Sequence, residues 1–287
     1  MIKIENVEVV GWEHAIRGMR NAKNSWDRSD SGYCADLECT DCPLYDIENC
    51  CCDHEGDYIL GPNDLDLTNR LDNGGPVHAK YRRMIVVYLD IVAPLYWWKE
   101  FDTYKVGTVV NSCSTMHKIH DKEFTLEDFS CEHLMGGLNH NDEREVPYLD
   151  FSPLRDDSAT YSPAGILACC IIPMLNLCRE KFLEIDEQLK NDDNLSQEEI
   201  IELAELKKEY WWQMIQLLPS SYNQRRTVML NYEVLVGIYK WRKNHKLDEW
   251  REFCKWIKSL LYSELITGKC EVKEKEETEE LTCESCK

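Results

Sequence analysis

With 287 residues and 43% apolar content the chain can bury a substantial core, which excludes global disorder. Its 53 acidic against 33 basic residues give a formal charge of −20, so the cationic surface that duplex nucleic acid requires is lacking. The N-terminus lacks the charged-then-apolar layout of a signal peptide, and the longest apolar run, 164–177, is short for a bilayer and contains Pro173. A cytoplasmic protein with no membrane partner is expected.

Residues 3–10 alternate apolar and polar side chains through Ile4, Val7 and Val9, which predicts a half-buried strand, and a short helix follows at 15–20. The segment 31–58 changes character and reads as an insertion. Cys34, Cys39, Cys42, Cys50, Cys51, Cys52 and His54 fall within it, and Cys39-x-x-Cys42 has the spacing of a zinc knuckle. A tetrahedral set is Cys39, Cys42, Cys50 and Cys52, with His54, Cys34 or the tail pair Cys283 and Cys286 as substitutes. A reduced cysteine loop fits equally, and iron–sulfur ligation is a weaker reading.

Asn63 or Asp64 is placed to cap a helix carrying Leu65, Leu67 and Leu71, ended by the turn residues at 73–76. The strongly apolar run 83–101 predicts a buried strand followed by a helix. Residues 124–162 are polar and predict loops with at most one short helix. Ser162-Pro163 is a cap and first-turn pair for an apolar helix to about residue 179. Ser196 and Glu199 form a capping box for a helix that ends at Leu218-Pro219, with Ile200, Leu203, Leu206, Tyr210 and Met214 at helical spacing. Further helices are predicted over 228–241 and 248–265, which makes the last third helical. The chain therefore divides into 1–30, an insertion at 31–58, a core at 59–266 and an acidic tail at 267–287.

Two further groups of residues could carry chemistry. The aromatic helix around Trp97 and Trp98 runs toward Asn111-Ser112-Cys113-Ser114, a polar loop at the edge of the core where a small ligand can sit. Near the C-terminus, Asn231, Arg242, His245, Glu249 and Arg251 cluster in sequence, and His245 and Glu249 share a face on continuous helix. A solvated ion-pair helix accounts for the second group as well.

The order of these segments resembles the flavin-dependent thymidylate synthase family. That family has a Gly-His turn, a strand, Ala-Pro, a helix ending in Arg-Gln, and the signature Arg-His-Arg-x-x-Ser-x-Asn-Glu-x-Ser-x-Arg-Tyr. Here His78, Ala93-Pro94, Lys99-Glu100 and Asn111-Ser112-Cys113-Ser114 fall in register, with one extra residue before Asn111. The C-terminal register of Leu-Pro, Asn, Leu-Arg and His-Ala-Gln-x-Glu-Ile-Arg is matched by Leu218-Pro219, Asn231, Trp241-Arg242 and 245–251. The signature's Arg-His-Arg is Thr103-Tyr104-Lys105 here, its Glu is Ser112, and its last Arg-Tyr is Met116-His117.

The resemblance implies an α+β fold, with a mixed, largely antiparallel sheet flanked by helices, assembled as a homotetramer. It implies one-carbon transfer to C5 of dUMP or a related pyrimidine nucleotide, using FAD, methylenetetrahydrofolate and NADPH. Arg242 takes the catalytic position on the pyrimidine. His78, Asn231, His245 and Lys105 take flavin positions, and Glu100, Asn111, Ser112 and Ser114 join Arg242 at the nucleotide. The missing arginines are bidentate phosphate ligands that Thr or Met does not replace. The competing expectation is a non-catalytic relative, a zinc-stabilised nucleotide-binding or assembly module.

Overall fold

The structure, a computed structural model, describes residues 2–34, 56–136, 149–150 and 160–268. The proposed metal ligands Cys39, Cys42, Cys50 and Cys52, and the tail pair, lie outside the described residues. Strand β1 (Lys3–Val10) is followed by helix α1 (Trp12–Arg20). The turn between them depends on Gly11, at φ 91, where a Cβ would stand 2.1 Å from the Met84 carbonyl oxygen. Strands β2 (Gly32–Tyr33) and β3 (Tyr58–Ile59) pair antiparallel on either side of the insertion.

Helix α2 (Pro62–Asn73) begins one residue before Asn63 and two before Asp64, the predicted caps. Its cap comes from a distant side chain: Asp30 accepts from the backbone N–H of Asn63 at 2.8 Å and of Asp64 at 3.1 Å. Asp64 is fully buried and accepts from Arg20 Nε at 2.6 Å, Ser29 Oγ at 2.7 Å, Ser31 Oγ at 2.7 Å and the Asp30 N–H at 3.1 Å. One carboxylate thus ties α1, the 29–31 turn and α2 together. Arg20 Nη2 is left buried without a hydrogen-bond partner, at a cost of about 1–3 kcal/mol.

Strand β4 (Val86–Pro94) and helix α3 (Leu95–Phe101) form the predicted strand-to-helix pair. Then come β5 (Thr108–Ser112), the one-turn α4 (Thr115–Lys118), β6 (Leu149–Asp150), β7 (Thr160–Tyr161) and α5 (Pro163–Ile166). Ser162 caps α5 by accepting from the Gly165 N–H, as its sequence predicts. The chain continues through a π-turn (Leu167–Ile171) into α6 (Ile172–Asn191), well beyond residue 179. The π-turn widens the backbone just ahead of Pro173, where the ring would otherwise clash and a helical hydrogen bond is missing.

Helix α7 (Gln197–Leu217) carries the Ser196–Glu199 capping box and ends where expected. Its apolar stripe is less buried than its spacing predicts: Met214 is buried, while Ile200 and Leu206 are exposed. The predicted helix over 228–241 is corrected at its start. Residues 228–231 close strand β8 (Asn223–Asn231), and helix α8 (Tyr232–Arg242) begins after it. Val228 and Leu230 are buried between outward side chains, a period of two that decides for strand. The predicted 248–265 helix splits into α9 (Asp248–Lys258) and α10 (Glu264–Thr267), separated where Tyr262 takes φ 52.

The main sheet has the order β1-β4-β8-β5, giving a mixed helix and antiparallel-sheet fold. The alternation of β1 is interrupted by Asn6 at φ 51; Val7 is exposed rather than half-buried, while Ile4 and Val9 are half-buried as predicted. The chain divides into two compact units, Met1–Glu8 with Tyr88–Met229 and Val9–Val87 with Leu230–Lys287. The first is packed around Ile119, Phe124, Phe129, Leu175, Phe182 and Met214. The second buries Trp12, Ile16, Ile59, Tyr232, Trp250 and Phe253. Among the described residues no helix is long and apolar enough to cross a membrane.

Candidate functional site

In the first unit, a cleft of about 310 Å³ opens where β5 and α4 meet the start of β8. One wall is Tyr222, Asn223, Gln224 and Arg225, and the segment 220–225 is held by backbone and side-chain bonds. Ser220, Ser221 and Tyr222 accept through their carbonyls from the Tyr96, Ser130 and Leu95 N–H groups at 2.9–3.0 Å. Ser130 Oγ lies 2.9 Å from Asn223 Oδ1, and Trp98 Nε1 donates to the Gln224 carbonyl at 3.0 Å. Gln224 is itself fixed at both ends of its amide: Nε2 donates to the Cys113 carbonyl at 2.8 Å and Oε1 accepts from Arg226 Nε at 2.9 Å. Arg226 stacks 4.3 Å over Trp98 and pairs with Asp102 at 2.8 Å.

The opposite wall is Cys113, Ser114, Thr115 and Lys118. Ser114 caps α4 by accepting from the His117 N–H at 3.0 Å. Lys118, Lys122 and Arg225 line the cleft together with Glu127 and Asp128, so the cations outnumber the carboxylates by three to two. Each cation already has an acidic neighbour: Asp121 for Lys118 at 3.1 Å, Asp128 for Lys122, and Asp90 for Arg225 at 2.8 Å. Lys118 and Lys122 are 70% and 68% exposed, so their pairs contribute under about 1 kcal/mol each and an incoming phosphate can compete for them. Burial pushes the Tyr222 phenol above its ordinary pKa, so it remains a neutral donor at the cleft floor.

On the sheet face beside Arg225, Asp90 accepts from Thr227 Oγ1 at 2.5 Å, Arg225 at 2.8 Å and Asn6 Nδ2 at 2.8 Å. These bonds hold its carboxyl down at about 2.

The residues singled out by sequence fall into both units. Glu100 is the penultimate residue of α3, Lys105 is exposed in the following loop, and Asn111 and Ser112 are exposed on β5. Of these first-unit positions Ser114 lines the cleft. In the second unit, His78 is exposed in the turn after α2, its ring against Gly74. Asn231 caps α8 through Oδ1, which accepts from the Val234 N–H at 3.0 Å. Arg82 pairs with Asp72 of α2 at 2.8 Å and reaches Glu233, two residues after Asn231, at 4.0 Å. Arg82 Nε and Glu233 Oε2 are buried there with no hydrogen-bond partner.

Arg242 and His245 lie at the other end of α8, brought together on Trp250: the guanidinium sits 4.7 Å over the indole and the imidazole 6.3 Å away, edge-on. At about 1.5 Å per residue, the helix separates Arg242 from Asn231 by about 16 Å. His245 precedes α9, and its Nδ1 accepts from the Leu247 N–H at 3.2 Å. It therefore shares no helical face with the buried Glu249, a correction to the spacing argument.

Sequence reasoning missed Lys118, Lys122, Tyr222, Asn223, Gln224 and Arg225. The signal available was local: Lys118 and Lys122 follow Ser114 at intervals of four. The β8 side arrives only by pairing with β5 across more than a hundred residues, seen in the Cys113 N–H donating to the Arg225 carbonyl at 3.0 Å.

Neither a protein-family model nor a curated protein sequence matches the chain. Among solved structures it is similar to the flavin-dependent thymidylate synthase ThyX from Helicobacter pylori complexed with FAD and dUMP. The identity is 13% and the TM-score 0.49, over 92% of this chain and 98% of that one. A second structure of the Helicobacter pylori enzyme with FAD and dUMP gives 12% and 0.48, over 93% and 98%. Both are likenesses of fold at low identity.

Proposed function

We propose that the chain is a divergent relative of the flavin-dependent thymidylate synthases that binds dUMP or a related pyrimidine nucleotide and transfers one carbon to its C5. The observation that carries the reading is the cleft. Ser114, which the sequence register puts at the nucleotide, shares it with Lys118, Lys122 and Arg225, cations that stand in for missing signature arginines. Thr115, Asn223, Gln224 and Tyr222 add neutral hydrogen-bonding groups suited to a sugar and base. Glu100, Asn111 and Ser112 belong to the same unit, on the elements that lead to the cleft.

FAD is proposed for the His78–Asn231 end of α8. The orphaned Arg82 Nε and Glu233 Oε2 beside it are polar atoms that a ligand would satisfy, and the Asn231 amide nitrogen has no partner among the described residues. There His78 and Asn231 would hold the cofactor by hydrogen bonds, and bound flavin supplies the reducing equivalents for methyl formation, with folate as the one-carbon donor. Arg242 and His245, about 16 Å along the helix, would join such a site only from a second copy of the chain, as a homotetramer would supply. Lys105, in the exposed loop of the other unit, is proposed as a phosphate contact of the cofactor.

The test is titration of purified protein with dUMP, read by melting temperature and by mass-spectrometric alkylation of Cys113, the exposed thiol in the cleft. The expected results are a higher melting temperature and protection of Cys113, with dTMP formed once FAD, NADPH and methylenetetrahydrofolate are added. Binding and protection without turnover would select the non-catalytic module. That second reading is favoured by one observation, that Arg242 and His245 are engaged with Trp250. Absence of both binding and protection overturns the nucleotide reading, catalytic or not, and leaves the assembly module.

A further inference from the structure

A second cavity, about 230 Å³, lies in the other unit between α1 and the 26–31 turn. Arg17, Arg20, Trp26 and Tyr58 line it, with Glu13 on α1 and the Ser29 and Ser31 hydroxyls beyond. Arg20 is 4% exposed, and its Nη2 has no hydrogen-bond partner among the described residues. Its Nε is committed to Asp64, and that carboxylate already accepts from Ser29, Ser31 and the Asp30 N–H as well. The guanidinium is thus held rigidly with donor capacity to spare. Tyr58 also lines the cavity, and its hydroxyl has no partner among the described residues. Burial pushes that phenol well above its ordinary pKa, so it stays a donor.

Charge points the same way. The chain carries −20 overall, yet residues 13–30 hold Arg17, Arg20, Lys23 and Arg28 against Glu13, Asp27 and Asp30, a local excess of one positive charge. Trp26 supplies an apolar wall: its ring is 50% exposed and is oriented by Nε1 donating to Asn21 Oδ1 at 2.8 Å. Guanidinium and phenol donors lining the same cavity as an indole suit a ligand with an oxyanion on a flat apolar body.

We propose that this cavity binds a small organic anion, its carboxylate or phosphate held by Arg17, Arg20 Nη2 and the Tyr58 hydroxyl, its body against Trp26. The proposal is independent of the nucleotide cleft, which lies in the other unit and shares no residue with it.

The experiment is isothermal titration of the full chain with benzoate and with phenyl phosphate at constant ionic strength. Benzyl alcohol and inorganic phosphate serve as comparisons, and the wild-type chain is compared with Arg17→Gln and Trp26→Ala. Both substitutions are at exposed positions, so neither disturbs the buried Arg20–Asp64 pair. The expected result is binding of at least one of the two anions, weakened about tenfold in each variant. The stronger arm identifies the oxyanion. No binding of either anion at about 10 mM, equal binding by both variants, or equal binding of benzyl alcohol or inorganic phosphate overturns the proposal. A chain that binds dUMP but neither anion would retain the nucleotide reading while losing this one.

Discussion

At the scale of single residues, the Asp30–Asp64 arrangement is the clearest case of structure hidden from sequence. Asp30 caps a helix whose first residue is more than thirty positions away, so no local cap signal exists, and Asn63 and Asp64 look like caps only because they are the nearest candidates. Gly61 is where this arrangement is most sensitive. A Cβ there would stand 2.2 Å from Asp30 Cγ and 2.3 Å from the Asp30 carbonyl oxygen. Gly61→Ala should therefore displace the cap and cost about 2 kcal/mol, read as a lower urea midpoint with unchanged slope. Asp90 makes a pH prediction. A carboxylate with a depressed pKa contributes its full stability above the ordinary range near 4 and loses it as pH falls toward about 2. Asp90→Asn should accordingly lower stability at pH 7 and flatten the acid side of the stability curve between about pH 4 and 2.

At the scale of elements, legibility followed how local the determinants are. The β4–α3 pair was readable because its apolar run exceeds what an exposed face carries, and Trp97, Trp98 and Phe101 are indeed buried. Helix α7 was readable from one tetrapeptide. Its capping box is complete, with Ser196 Oγ accepting from the Glu199 N–H at 3.3 Å and Glu199 Oε2 accepting from the Ser196 N–H at 2.8 Å. Ser196→Ala should cost about 1 kcal/mol, visible by thermal denaturation and with no effect on dUMP binding. Strand β8 was not readable, because Val228 and Leu230 also fit the helical spacing that continues to Trp241. Pairing with β5 and β4, a tertiary fact, decides the matter. The same non-local pairing builds the β8 wall of the cleft, which is why Ser114 could be named from sequence while Gln224 and Arg225 could not.

At the scale of the whole molecule, charge dominates. Twenty uncompensated negative charges repel one another over a Debye length of about 10 Å at 0.1 M salt. The melting temperature should therefore rise between about 0.01 and 0.2 M sodium chloride, the reverse of what stabilisation by isolated surface ion pairs would give.

The ladder of β2 and β3 has a consequence for how the chain tolerates change. Gly32 faces Ile59, Tyr33 faces Tyr58, and the Cys34 N–H donates to the Asp57 carbonyl at 2.9 Å, so the two flanks of the cysteine-rich stretch are stitched together before that stretch begins. Excising residues 35–56 and rejoining the stumps through Asn-Gly, whose geometry suits a tight hairpin, should leave a protein that melts within a few degrees of its parent. The length of what lies between Cys34 and Asp57 would then be set free of the core by the β2–β3 ladder.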